Sequence, residues 1–204
     1  WPTPAGPVPI VVGLVIYDLG VGDPGVRPGP AEGYRACVAA LAGREAACRG
    51  RIGAGTGATV AKWAGRHHAR PGGLGSAALR RGDLVVSALA VVNSLGEARE
   101  PGGEARVWDP EAGAGPGEAT TIGLVATNAR LDKQSCRLVA ESAHDGLARA
   151  VDPVHTAADG DAFVAAATGE VDAPLQVVRS LASAAVEAAV AEGLSGGGPA
   201  PAGP

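Results

Sequence analysis

The chain has 204 residues and a formal net charge of −4, a length at which roughly 70% of the unfolded surface is buried on folding, so one sizeable core and a single domain are expected. Its 15 arginines and two lysines are scattered among 21 acidic residues, which leaves no basic stripe and excludes a nucleic-acid-binding surface of the usual electrostatic kind. A small or neutral partner fits this charge distribution better.

Cys37, Cys48 and Cys136 form an odd set without C-x-x-C spacing, against both a disulfide framework and a zinc site, so a reducing cytoplasm is the expected compartment. The longest apolar run, Val8 to Tyr17, is roughly half the length a membrane span needs and reads as a strand buried on both faces. No membrane partner is expected. The chain opens on Trp1 and contains no methionine, from which a missing or processed N-terminus is expected.

In chain order, Trp1–Pro7 is turn-like because Pro restricts itself and its predecessor, the strand Val8–Tyr17 follows, and a Gly and Pro loop leads to a helix over Ala31–Ala42 with Pro30 at its first turn. Arg51–Ala77 carries seven glycines, too many for regular structure and a sign that backbone approaches something closely. Asp83–Asn93 reads as an apolar strand, and Glu97–Glu118 as a Gly, Pro and Glu loop whose length marks it as functional or disordered. Thr121–Thr127 is a third strand, Lys133–Ala150 an amphipathic helix, Asp161–Ala167 a short fourth strand, and Pro174–Leu194 a long Ala and Val helix. Residues from Ser195 on are low-complexity. Apolar strands beside Ala-rich helices place the chain in a layered α/β class with sheets covered by helices.

The chemistry-bearing clusters are few. Gly53–Lys62, "GAGTGATVAK", offers G-x-G-x-x-A but lacks the Gly-Lys-Ser/Thr ending of a phosphate loop. Lys62 stands out because a lysine among glycines and apolar residues is open to desolvation, as a donor or as a base of lowered pKa. His155, Asp159 and Asp161 in "HTAADGDAF" have a spacing that could ligate a metal, although carboxylates two apart are more often turn chemistry; they could also orient an ammonium or share a proton. His67 and His68 read as a solvated pair, and His144 as a hydrogen-bonded helix residue. No G-x-S-x-G elbow is present. Thr120 is the remaining candidate: a Thr hydroxyl becomes a competent nucleophile when its own α-amine, freed by cutting the preceding peptide bond, serves as base. Such a residue must start a strand behind a cleavable segment, as Thr120 does in "GPGEATTIGLVATNARLDK".

The segments "TPAGPVPIV", "YDLG", "GAGTGATVAKW", "GGLGSA", "VVNSLG", "TTIGLVATNARLDK", "AHDGLARAVDPVHTAADGDAF" and "ATGEV", in order from Trp1 to about Val171, together resemble the L-aminopeptidase/D-esterase family of N-terminal-nucleophile hydrolases, and within it the nylon-oligomer hydrolase branch. The resemblance implies an αββα sandwich, a self-cleaving precursor and no cofactor. It makes residues 1–119 the C-terminal part of an α chain, with 98–118 a mobile loop before the cut, and 120–204 a β chain with a disordered tail at 195–204, together one domain. A longer stretch precedes the position of Trp1 in that family, so the sandwich is expected to lack its N-terminal strands here.

Carried over residue by residue, the resemblance makes Thr120 the nucleophile, released by cleavage between Ala119 and Thr120, with Lys62, Asn93, Asp159 and Asp161 around it and Tyr17 lining the cleft. The branch usually has Asn where this chain has Ala119. The implied substrate is a small peptide or amide, the α and β chains staying associated in a homo-oligomer. A family member reduced to a structural or binding module is the alternative from another class. Ornithine acetyltransferases share the fold and a self-cleaving Thr, but the motifs match the peptidase side.

Overall fold

Four strands of alternating burial organise the chain in a computed structural model that describes residues 1–43, 49–111 and 119–195. Strands β3 (Gly73–Arg81), β4 (Leu84–Val92), β6 (Ile122–Ala129) and β8 (Ala162–Val171) form one sheet in the order β3-β4-β6-β8. The first two pairings are antiparallel and β6 runs parallel to β8. Between them come α1 (Pro30–Leu41) and the two-residue strands β1 (Thr59–Val60), β2 (Arg70–Pro71), β5 (Glu97–Ala98) and β7 (Val151–Asp152), with β1 paired to β2 and β5 to β7.

Helices α2 (Lys133–Ala150) and α3 (Leu175–Ser195) cover one face of this sheet. Because side chains alternate across a strand, Val86, Ala88, Ala90 and Val92 of β4 and Val125 and Ala129 of β6 join Val139, Ala143, Leu147, Val178, Ala182, Val186, Ala189 and Val190 in one core. Asp132 starts α2 by accepting the Ser135 amide at 2.7 Å, a side-chain cap that satisfies an otherwise unpaired donor. Small residues let the layers close: a Cβ on Gly75 would lie 2.0 Å from the Ala189 carbonyl oxygen, and one on Gly146 would lie 2.3 Å from that of Ser183.

The mixed α/β layering expected from composition is present, and the described residues supply one helix layer and one four-stranded sheet of the expected sandwich. The other face of the sheet leaves Leu89 43% and Leu124 36% exposed, so helices cover it on one side only among the described residues.

Three expectations about elements need correction. Val8–Tyr17 is not a buried strand: it is irregular, and Val11 and Val15 are 86% and 85% exposed. Hydrophobicity suits such a run to a sheet, but a strand exists only where a neighbour takes its hydrogen bonds, and no described strand lies beside it. The glycine-rich stretch is not wholly irregular, since β3 begins at Gly73 inside it. There Gly is required by the close passage of α3 and does not break the ladder. The fourth strand, finally, runs on to Val171. Of the expected loop and tail, 112–118 and 196–204 lie outside the described residues, as does Cys48. The described part of the loop is tethered by Arg106, which pairs with Glu97 at 3.0 Å and donates its main-chain amide to Asp152 at 3.1 Å.

Candidate active site

The site grows from the start of β6. Ala119 is fully buried and bridges to Asp159 in the parallel direction, so the β6/β8 pairing is found again three residues before either strand formally begins. Its carbonyl oxygen accepts the Gly160 amide at 2.9 Å and the Thr120 hydroxyl at 2.5 Å. The Thr120 amide donates to the Asn93 carbonyl at 2.9 Å. The peptide unit joining Ala119 to Thr120 is thus gripped at both its C=O and its N–H. Thr120 itself is half-buried, whereas Thr121 is fully buried with its Oγ1 hydrogen-bonded to nothing in the structure.

Lys62 and Asn93 form the second element. The chain turns sharply after β1, with Ala61 at φ 61°, and the amides of Lys62 and Trp63 both donate to the Leu95 carbonyl. This places the Lys62 ammonium, 5% exposed, 3.1 Å from Asn93 Oδ1 and 3.3 Å from the Asn93 carbonyl oxygen. Asn93, fully buried just past the end of β4, also accepts the Thr59 amide at 2.9 Å and donates Nδ2 to the Tyr17 carbonyl at 3.0 Å. A buried ammonium held by oxygen acceptors satisfies the rule that an interior charge must be hydrogen-bonded.

The acids complete the ring. Asp159 takes the Leu95 amide on Oδ1 at 3.1 Å, and the Thr156 amide and hydroxyl on Oδ2 at 3.1 and 2.8 Å. Burial, and then the neighbouring Asp161, push its carboxyl above the ordinary range despite those donors. Asp161 takes the Thr121 amide on Oδ1 at 2.7 Å, and its Oδ2 lies 2.8 Å from His155 Nδ1. That hydrogen bond holds the His155 imidazole above its usual value, while burial pushes His144, whose ring lies 5.0 Å away, below it.

The structure therefore brings Thr120, Lys62, Asn93, Asp159 and Asp161 into one connected cluster. Tyr17 joins through its main-chain carbonyl, and its residue is 46% exposed. The two aspartates are engaged with main-chain amides at the seam of β6 and β8. The Asn93 side chain uses one Nδ2 hydrogen on the Tyr17 carbonyl and has a second to donate. Sequence reasoning missed Gly160, whose amide meets the Ala119 carbonyl, and the apolar lining of Ala119 by Leu95 and Ala158 with Trp63 and Trp108 packed against them. Gly160 lies between the two aspartates already singled out. The tryptophans are remote in sequence and carried no pattern. His67 and His68 are exposed with their rings in contact, and His144 packs edge-on against Phe163.

This arrangement is equipped for acyl transfer at the Ala119 carbonyl: a hydroxyl beside it, an amide donor on its oxygen, and a buried ammonium one residue away. Known proteins similar to this chain include aminopeptidases and amide-oligomer hydrolases. The sequence profile of peptidase family S58 matches residues 4–197. An uncharacterized aminopeptidase of Mycobacterium leprae is 40% identical over 194 residues, which covers 82% of this chain and 52% of the relative. A 6-aminohexanoate-oligomer endohydrolase of a Kocuria species is 30% identical over 191 residues, covering 81% and 52%. Among solved structures, a β-aminopeptidase from a Burkholderia species superposes with a TM-score of 0.51 at 25% identity, covering 71% of this chain and 46% of its own. A Pyrococcus horikoshii protein shares the fold, with a TM-score of 0.52 at 22% identity over 72% and 44%. The chain spans about half the length of the curated relatives it matches.

Proposed function

The chain belongs to peptidase family S58, and on that premise we propose that it is the catalytic part of a self-processing hydrolase of linear amide bonds, cut between Ala119 and Thr120 and using Thr120 as its nucleophile. The observation that carries this reading is the Ala119 carbonyl held between the Thr120 hydroxyl and the Gly160 amide. In the first step Thr120 Oγ1 attacks that carbonyl carbon, and negative charge grows on an oxygen already receiving a main-chain donor, which is the geometry that stabilises a tetrahedral intermediate. Collapse breaks the C–N bond, the proton given up by the hydroxyl passing to the departing Thr120 nitrogen, and leaves an ester between Ala119 and Thr120 Oγ1. Water then hydrolyses the ester, returning the hydroxyl and leaving Thr120 with a free amine.

In turnover the same oxygen attacks the substrate amide while the Thr120 amine takes its proton and passes it to the leaving amine. Lys62, two hydrogen bonds from Thr120 through Asn93, favours the neutral form of that amine by like-charge repulsion. The remaining Asn93 Nδ2 hydrogen is available to an oxyanion, and Asp159 and Asp161 hold the main chain on either side. The aminopeptidase and 6-aminohexanoate-oligomer relatives support a substrate that is a short peptide or unbranched amide. The β4/β6 ladder, which joins residues 1–119 to 120–204, supports two pieces that stay together.

Intact-mass measurement on the purified full-length protein tests the proposal. Two chains are expected, the second beginning at Thr120, together with release of p-nitroaniline from aminoacyl anilides or shortening of amide oligomers. One unsplit, inactive chain would overturn it.

A further inference from the structure

His155 stands outside the reading just given, yet its geometry ties it to the nucleophile. Its Nδ1 lies 2.8 Å from Asp161 Oδ2, and the other oxygen of the same carboxylate receives the Thr121 amide at 2.7 Å. Thr121 is fully buried, and its carbonyl accepts the Ala162 amide at 3.0 Å. The main chain that follows Thr120 is therefore fixed on one side by Asp161, and Asp161 is fixed by His155.

Charge makes the histidine more than a spacer. The Asp161 side chain is 4% exposed and sits near Asp159, so two carboxylates share a partly dry site, where an uncompensated buried charge is costly. The groups that face His155 are Asp161 and Asp159 on its carboxylate side and His144 of α2, with Asp145 acting on His144 in turn. Asp161 is the one in direct contact. The main chain is also turned at this contact: His155 has φ 53°, a left-handed conformation uncommon outside glycine, in which His, Asn and Asp are the side chains most often found.

We propose that His155 is a positioning residue for Thr120: its imidazolium orients and balances Asp161, whose second oxygen fixes the Thr121 amide and so aims the Thr120 hydroxyl. The inference rests on Thr120 being the nucleophile.

Two substitutions in the full-length protein separate the ring from the backbone. His155→Gly relieves the positive φ and removes the donor; His155→Asn tolerates that φ and keeps a neutral donor. Splitting rate, kcat and KM are measured from about pH 5.5 to 8.5, the range that brackets an ordinary histidine, together with melting temperature. In the parent protein the Thr120 amine supplies a rise in kcat with pH and His155 a fall at higher pH. His155→Gly is expected to lower kcat about tenfold with KM within about twofold, the pattern of a misaimed group, and to lose the high-pH fall. His155→Asn, which keeps a donor and lacks the charge, should hold kcat between the parent and the glycine variant, near the level to which the parent falls at high pH, and also lack that fall.

Parental kcat and pH profile in His155→Gly, or equal losses in the two variants, would overturn the proposal. Should the glycine variant fail to fold, a high-pH fall retained by the folded asparagine variant overturns it equally. Thr120→Ala separates the two ideas. A Thr120→Ala protein that still splits defeats the nucleophile assignment, whereas an inert Thr120→Ala beside an unimpaired His155→Gly defeats only the positioning role.

Discussion

A Cβ placed on Gly160 would lie 2.9 Å from Thr120 Oγ1. Gly160 needs no unusual backbone angle, so its smallness matters for the space it leaves to the threonine hydroxyl. Gly160→Ala must push that hydroxyl off its line to the Ala119 carbonyl, and a displacement of this order in a reacting group can cost about a hundredfold in rate. Splitting followed by gel electrophoresis over time should slow by roughly that factor, with an unchanged circular dichroism spectrum. Splitting at the parental rate would show that the contact does not constrain the hydroxyl.

The two adjacent threonines should respond in opposite ways. Thr120→Ala removes the half-buried hydroxyl beside the Ala119 carbonyl and should abolish both splitting and turnover. Thr121 Oγ1 is buried without a hydrogen-bond partner, a situation that costs about 1–3 kcal/mol for a polar group. Thr121→Val keeps the shape and removes that cost, so the protein should split normally and melt at an equal or higher temperature. Loss of splitting in Thr121→Val would reverse the assignment of roles.

The contact between α2 and α3 is set by Gly146. A Cβ there would meet the Ser183 carbonyl oxygen at 2.3 Å and the Val186 Cβ at 2.9 Å, and neither can rotate away because both belong to the backbone or its first side-chain atom. Overpacking of this kind typically costs about 1–3 kcal/mol. Urea titration of Gly146→Ala should show that loss in the unfolding midpoint, and an unchanged midpoint would mean the helices have slack that the structure does not show.

Two neighbouring histidines should give opposite pH dependences of stability. His155 has a folded value raised above 6.5 by its bond to Asp161, so the folded state holds the proton more tightly. The associated stability is fully present below 6.5 and is lost as pH rises through the raised value. His144 has a folded value lowered from 6.5 by burial, so its effect is absent above 6.5 and it destabilises as pH falls through the lowered value. Melting temperatures of His155→Asn across this range should lack the decline on the alkaline side while keeping the one on the acid side. An alkaline decline of parental slope would argue against the His155–Asp161 pair as its source.

Periodicity carried the parts of the fold that depend on local pattern. The expected helix Lys133–Ala150 has the limits observed, because Asp132 caps it and its apolar positions recur on one face. The strands around Val86–Val92 and Gly123–Ala129 were legible from continuous apolar character. Val8–Tyr17 was misread for the same reason: its residues have strand propensity, and propensity does not supply a partner. In the site, Thr120 was legible from its place between a loop and a strand, and Lys62 from its setting among glycines and apolar residues. The donor role of Gly160 was not, because it arises from the parallel register of β6 against β8 carried back to Ala119 and Asp159, a relation between residues some forty positions apart that no local pattern encodes. The bond from His155 to Asp161, only six residues apart, depends on a left-handed turn at His155 that spacing alone does not specify.

That register and the β4/β6 ladder together lie on both sides of the bond between Ala119 and Thr120. Antiparallel pairing from Val86↔Thr127 to Val91↔Ile122 joins a strand upstream of the bond to one downstream, and α3 packs on β3 and β4 from the far side of the same cut. If the chain is severed there, as proposed, contacts that had formed within one molecule become contacts between two, and the tether's effective concentration is lost. Denaturation would then become a dissociation, its midpoint would shift with protein concentration, and recovery after dilution from denaturant would follow second-order kinetics. An uncleaved Thr120→Ala chain, by contrast, should refold at a rate independent of concentration.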